Sequence, residues 1–228
     1  MNQSPPKASE AKQRTRLRIR FTKTGDLKWI SHRDLARVWE RLLRRANLQL
    51  AFSEGFHPKP KISFPSALAL GVEALDEIVE LEIVGEMDVA KIRKDIEDQV
   101  PDGMEIIEFS SPQYALGKAK VIATRYRIAL SNELHDNVKE KIQSVEQQEE
   151  LVFQREKRTV SCQVGDPNFS IALQDGNLEF ALPNDPKGAV KASEILELLG
   201  VHHLLEEGIS LQRVQVLIKE PEKTSGGS

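Results

Sequence analysis

The residues best able to do chemistry crowd into one stretch, from Trp29-Ile30-Ser31-His32-Arg33-Asp34-Leu35 to Ser53-Glu54-Gly55-Phe56-His57-Pro58-Lys59-Pro60-Lys61. Pro58 and Pro60 stiffen the second motif, so that Lys59 and Lys61 become preset cations. Gly55 allows a turn conformation closed to other residues, or a close backbone approach. Phe56 is a ring that either stacks on a base or anchors the loop to the core. Arg33, Arg37, Arg41 and Arg44 are spaced as one stripe of a helix. Arg16, Arg18 and Arg20 alternate with Leu17, Ile19 and Phe21, which reads as a half-buried strand with an arginine-studded exposed face. Cations on a strand, a helix and a loop of one small domain converge well on a phosphate backbone.

His32 and His57 are the acid–base candidates. His32 falls in the first turn of a helix, where the positive end of the dipole disfavours imidazolium and leaves a neutral ring able to act as a base. His57, in a basic loop, carries the same bias. A metal-free ribonuclease would use such groups to activate a 2′-hydroxyl, with lysines stabilising the developing phosphate charge. Both histidines equally suit structural or surface positions, and the pattern favours binding over catalysis. His202 and His203 are adjacent and diverge on a helix, with no acid at ligand spacing, so no metal site is expected. Cys162 is the sole cysteine, which excludes an internal disulfide and a cysteine-based zinc or iron–sulfur centre; it reads as a buried core thiol. Walker, nucleophile-elbow and dinucleotide motifs are absent, and no cofactor is expected.

Charge is unevenly spread. Met1–Phe64 holds 15 Lys and Arg against 5 Asp and Glu, a balance of +10, while the remainder holds 17 against 30, or −13. A basic lobe on an acidic chain points to a polyanionic partner for that lobe, or else to a split in which the two parts complement each other. The apolar runs are too short to span a membrane and the N-terminus lacks an apolar signal core, so a cytoplasmic protein with no membrane partner is expected.

The elements that must position these groups follow from periodicity. Arg16–Lys23 reads as a strand, and Ser31 and Asp34 frame the start of a helix to about Ala46 as a capping box. Leu48–Ser53 reads as a second strand. Ile78–Val84, a helix over about 88–100, and Met104–Phe109 complete a β-α-β-β-α-β order. Lys120–Leu130, a helix marked by Leu134, Val138, Ile142 and Val145, four strands with an Asp175–Gly176 hairpin signal, a helix over Ala192–Leu199 and a strand over Leu211–Ile218 repeat the theme. The fold class is α+β: two tandem ferredoxin-like (split βαβ) domains with antiparallel sheets, over 15–112 and 118–220, between flexible tails 1–14 and 221–228. Helices cover one face of the first sheet, and the other face is expected to lie open as a binding platform.

The same residues carry a resemblance. Ser31-His32-Arg33-Asp34-Leu35, Trp39-Glu40-Arg41, Arg44-Arg45-Ala46, Ser53 to Phe64, and Ala67-Leu68-Ala69-Leu70-Gly71-Val72-Glu73 resemble the radical-SAM-linked protein family, a domain of unknown function fused to or encoded beside radical S-adenosylmethionine proteins. The likeness is dense over about 16–110 and looser beyond, mainly at Glu194–Gly200. Arg33 stands where the family has Leu, and His57-Pro58-Lys59-Pro60 where it has an Asn-Pro-His-Pro-type loop, which leaves His32 the better candidate for a shared role. The resemblance implies a radical-SAM protein as partner and no cofactor in this chain. A fainter, fold-level similarity is to the CRISPR repeat-processing endoribonucleases. The resulting expectation is an RNA-binding accessory module presenting tRNA or rRNA to a radical-SAM modifying partner. The alternatives are a metal-independent endoribonuclease using His32 and a protein-docking scaffold.

Overall fold

The alternation of Leu17, Ile19 and Phe21 with arginines makes Arg14–Lys23 a strand, β1, extending two residues further back than the periodicity indicates. After a short 3-10 turn comes α1 (His32–Arg45), capped by the Ser31 hydroxyl, which accepts the Asp34 N–H at 3.2 Å. Leu35, Trp39, Leu42 and Leu43 bury one side of α1 on β1, with Trp39 meeting Phe21 edge to face at 5.0 Å. The chain continues through β2 (Ile62–Ser63), β3 (Glu73–Val84), α2 (Val89–Glu97) and β4 (Ile106–Ser110). Then follow β5 (Val121–Ala129), α3 (Asn132–Glu146), β6 (Glu150–Arg155), β7 (Arg158–Gln163), β8 (Ser170–Gln174), β9 (Asn177–Pro183), α4 (Ala192–Leu198) and β10 (Gln212–Ile218). This computed structural model describes residues 14–54, 56–85, 88–112, 118–185 and 188–219. Gly55 and both proposed tails, apart from Arg14, lie outside the described residues.

The architecture is mixed α+β, with four α-helices among the described residues and a mostly antiparallel sheet. The sheet runs β4-β1-β3-β10-β5-β9-β8, with β2 also on β3 and β6–β7 as a separate hairpin. The β8–β9 hairpin turns through Asp175 and Gly176, both at positive φ, as that dipeptide demands. The sequence reading implies two antiparallel sheets. The strands instead join into one sheet through a single parallel contact, Gln212 beside Glu73 and Arg213 beside Ala74.

Side chains secure that junction on both faces. On the helix side the fully buried Arg213 pairs with buried Glu77, and its Nη1 donates to Ser66 Oγ at 3.2 Å and to the Ala67 carbonyl at 3.3 Å. Buried Lys23 donates to the Ile30 carbonyl at 3.2 Å. Burial pushes the Glu77 carboxyl up, opposed chiefly by the Arg213 guanidinium, and pushes the Lys23 amine down, opposed by Glu77. On the other face Asp76 Oδ2 accepts the Val216 N–H at 2.7 Å and Arg20 Nη1 at 2.5 Å, and Arg20 also donates to the Val216 carbonyl. Asp76 and Arg20 thus bond β10 backbone groups beyond the point where its ladder with β3 ends.

Deleting one member of a buried ion pair leaves an uncompensated charge, at a cost of about 3–5 kcal/mol. Arg213→Met should therefore lower the unfolding free energy by about that amount in urea titration. The double variant Glu77→Leu/Arg213→Met should recover most of the deficit.

Candidate functional site

The arginine stripe of α1 forms as its spacing requires. Arg33, Arg37, Arg41 and Arg44 are exposed, and Arg45, which the stripe alone does not include, joins them. The helix also carries Asp34 and Glu40, leaving a cationic surplus. Among the described residues Arg37 is the one member of the stripe with an ion pair, to Asp34 at 3.1 Å. Asp34 is held below the usual carboxylate range by the Ser31 hydroxyl first, and by Arg37 and Arg33 as well.

Leu48–Ser53 is not a continuous second strand. Backbone bonds tie Val84 N–H to the Gln49 carbonyl, Ala51 N–H to the Glu82 carbonyl and Glu82 N–H to the Lys61 carbonyl, while Ile62 pairs with Leu81. One edge strand along β3 is therefore split, and residues 52–60 leave it as a hairpin. Lys61 N–H to the Ala51 carbonyl and Ser53 N–H to the Lys59 carbonyl close its base, with Phe52 opposite Pro60. The Ser53 hydroxyl also accepts the Lys59 N–H at 3.0 Å. Phe56 is fully exposed at the tip, so it does not anchor the loop to the core, and His57 and Lys59 are exposed beside it.

Arg16, Arg18 and Arg20 do not form an open face. Their side chains are 6%, 16% and 20% exposed, because β3 sets Glu82 opposite Arg16 and Glu80 opposite Arg18, and Asp76, two residues along from Ile78, meets Arg20. Arg18 meets Glu80 at 2.8 Å, and Glu82 joins Arg16 at 3.6 Å to Lys61 at 2.9 Å. Beyond β4 the Ser111 hydroxyl donates to the Arg16 carbonyl, and the Ala119 N–H donates to both Glu80 oxygens. The expected platform is therefore covered. Convergence also fails in part: Leu17, Ile19 and Phe21 face α1, so the alternating arginines point away from the α1 stripe. What does meet is Arg16 with Lys59 and Lys61, in a cleft of about 370 Å³ that also takes in Lys118, Glu80 and Glu82. Lys118 gave no sequence signal, since it stands alone between elements.

His32 is exposed, and its ring stands edge to face on Phe64, with centroids 5.1 Å apart. Among the described residues it has no hydrogen-bonded acid to orient it, and no contact brings it to His57. No group of three or more His, Cys, Asp or Glu able to hold a metal is present among the described residues. Among those residues, no helix is long and apolar enough to cross a membrane.

The family model described as "Uncharacterized protein conserved in bacteria (DUF2344)" matches residues 16–178, which take in α1, the hairpin and the ion-pair ladder. The chain belongs to the DUF2344 family. No curated protein matches it. Among solved structures, an unknown protein from Galdieria sulphuraria is similar over 91% of this chain and 100% of its own, at 9% identity and a TM-score of 0.29. A putative glycine cleavage system transcriptional repressor is similar over 91% of this chain and 99% of its own, at 8% identity and a TM-score of 0.25.

In this DUF2344 chain Cys162 is buried on β7, beside a surface depression of about 940 Å³ lined also by Glu150, Asp166 and Asn168. Burial, then Asp166 and Glu150, push its thiol up to about 11. The thiolate is the reactive form, so native protein at pH 8 should label slowly with a disulfide reagent and quickly in denaturant. Equal rates in both would remove the inert-thiol assignment. Phe56→Ala, at a fully exposed site, should leave the unfolding free energy within about 0.5 kcal/mol of the parent.

Proposed function

We propose that this protein is a cytoplasmic RNA-binding module that engages the phosphate backbone through the exposed face of α1, with the 52–60 hairpin as a second contact. The observation that carries this reading is the run of exposed arginines on α1, largely without acidic partners among the described residues. Surface guanidiniums held along a rigid helix make bidentate contacts to phosphate at little ordering cost. Phe56, His57 and Lys59 add a ring and cations at the hairpin tip. Both halves of the sheet are read here as split-βαβ units: β4-β1-β3-β2 in the first, and β10-β5-β9-β8, with β6–β7 inserted, in the second. Presentation of tRNA or rRNA to a radical-SAM enzyme completes the proposal, and the sequence resemblance alone supports that partner. Cleavage by His32 gains no support from its surroundings, since a general base needs an orienting partner and a second group on the substrate.

Binding to labelled RNA should weaken as salt rises. Arg37→Ala/Arg41→Ala/Arg44→Ala should lower affinity about tenfold or more, and should reduce the slope of log K against log salt by about 3, one for each arginine that no longer meets a phosphate. Fluorescence anisotropy across a salt series measures both. An unchanged slope in the triple variant would remove α1 from the interface.

A further inference from the structure

Two tryptophans are present. Trp39 is fully buried against Phe21, whereas Trp29 is 63% exposed. It ends the 3-10 turn Gly25–Trp29, two residues before the cap of α1. The exposed ring is nonetheless seated. Gly71 N–H donates to the Lys28 carbonyl at 2.9 Å, which draws the Gly71 backbone under the indole. A Cβ at Gly71 would stand 3.0 Å from Trp29 Cζ3 and 3.4 Å from Cη2, and the residue sits at φ +81°. Glycine thus allows the six-membered ring to pack directly on backbone. Lys28 Nζ lies 5.5 Å from the ring centroid and is itself fixed by Ser210 Oγ at 2.7 Å. Leu70, next to the seat, is exposed as well.

We infer that Trp29 is a stacking platform for an unpaired nucleobase, placed at the N-terminal end of the arginine face. This rests on the RNA-binding reading and names the class of RNA: one that offers a single-stranded loop, bulge or end beside its helical part. The ring is large, open to solvent and braced against backbone, so stacking on it orders little that is not already ordered. Arg33 follows it by four residues, so their Cα atoms lie within about 14 Å of each other. One nucleic acid can therefore contact both. Charge favours this occupant: Lys28, over the ring, is neutralised by Glu73 at 3.7 Å, but Arg33 and Arg41 follow on α1 exposed and without an ion pair among the described residues, which suits a polyanion that also presents flat aromatic faces.

The test uses the full chain, an RNA hairpin with an unpaired loop, and a fully paired RNA duplex of equal length. The hairpin should quench tryptophan emission, and the duplex should bind without quenching. Trp29→Ala should abolish the quench, leaving the signal of buried Trp39. It should also weaken hairpin binding about tenfold while changing duplex affinity less than twofold. Trp29→Phe should keep most of the hairpin affinity. Circular dichroism of both variants should match the parent, since the substituted side chain is exposed. Equal hairpin affinity in parent and Trp29→Ala, with no quench, overturns the stacking site and leaves the α1 interface standing. Failure of the parent to bind either RNA overturns both, and a response to protein partners alone does the same.

Discussion

The adjacent carboxylates of Asp76 and Glu77 decide how the two halves of this protein meet. Neighbours on a strand point to opposite faces, and each of these reaches a different group of β10. Glu77 neutralises Arg213 within the helix-covered layer. Asp76 takes the Val216 N–H on the far side and holds Arg20 over it. A guanidinium with no exposed surface is tolerable only where a carboxylate faces it, so a slip of β10 along β3 would strand both charges. The apolar pattern fixes which face of β10 turns inward, and the two carboxylates add a fixed position along β3. In this protein the buried pair supplies specificity at the one place where the sheet turns parallel.

That arrangement also determines where positive charge remains available. The +10 counted over Met1–Phe64 includes Arg16, Arg18, Arg20 and Lys61, and all four are paired by Glu82, Glu80 and Asp76, which lie in the acidic remainder. The charge split read in the sequence is thus partly the two sides of one internal ladder. Among the described residues, the cations on α1 and at the hairpin tip have no ion pair to β3, and of these Arg37 alone has an ion pair, to Asp34. The surface able to attract a polyanion is accordingly smaller than the composition suggests: the α1 face, across the sheet from the β1 arginines, and the hairpin, whose Lys59 lines a cleft with Arg16.

Local chemistry was legible where it acts locally. Alternation placed β1, the Ser31–Asp34 cap placed the start of α1, and Asp175–Gly176 placed the β8–β9 turn. Readings failed where a distant partner changed what a residue type means. Glu80 and Glu82 look solvent-facing by period, yet both are buried because arginines more than sixty positions earlier lie opposite them. The split edge strand was hidden for a different reason. Its ties to β3 are backbone bonds at Gln49, Ala51 and Lys61, and backbone bonds leave no side-chain period to read. Trp29 passed as part of a motif whose emphasis fell on Ser31 and His32, and only its seat on Gly71 separates it from an ordinary surface aromatic.

The extent of the family match bears on what must fold together. Residues 16–178 include α1, the hairpin, the ladder and the Trp29 seat at Gly71, but not β10. Yet β10 stands between β3 and β5, and among the described residues no other strand links the two halves of the sheet. Without it, β3 would keep an unpaired edge over its first residues, β5 would be left with β9 alone beside it, and Glu77 would stand without Arg213. Open edges and unpaired buried charge are both costly. The surface proposed to meet RNA therefore lies wholly within the matched region, while the strand that holds the sheet behind it together comes from beyond that region.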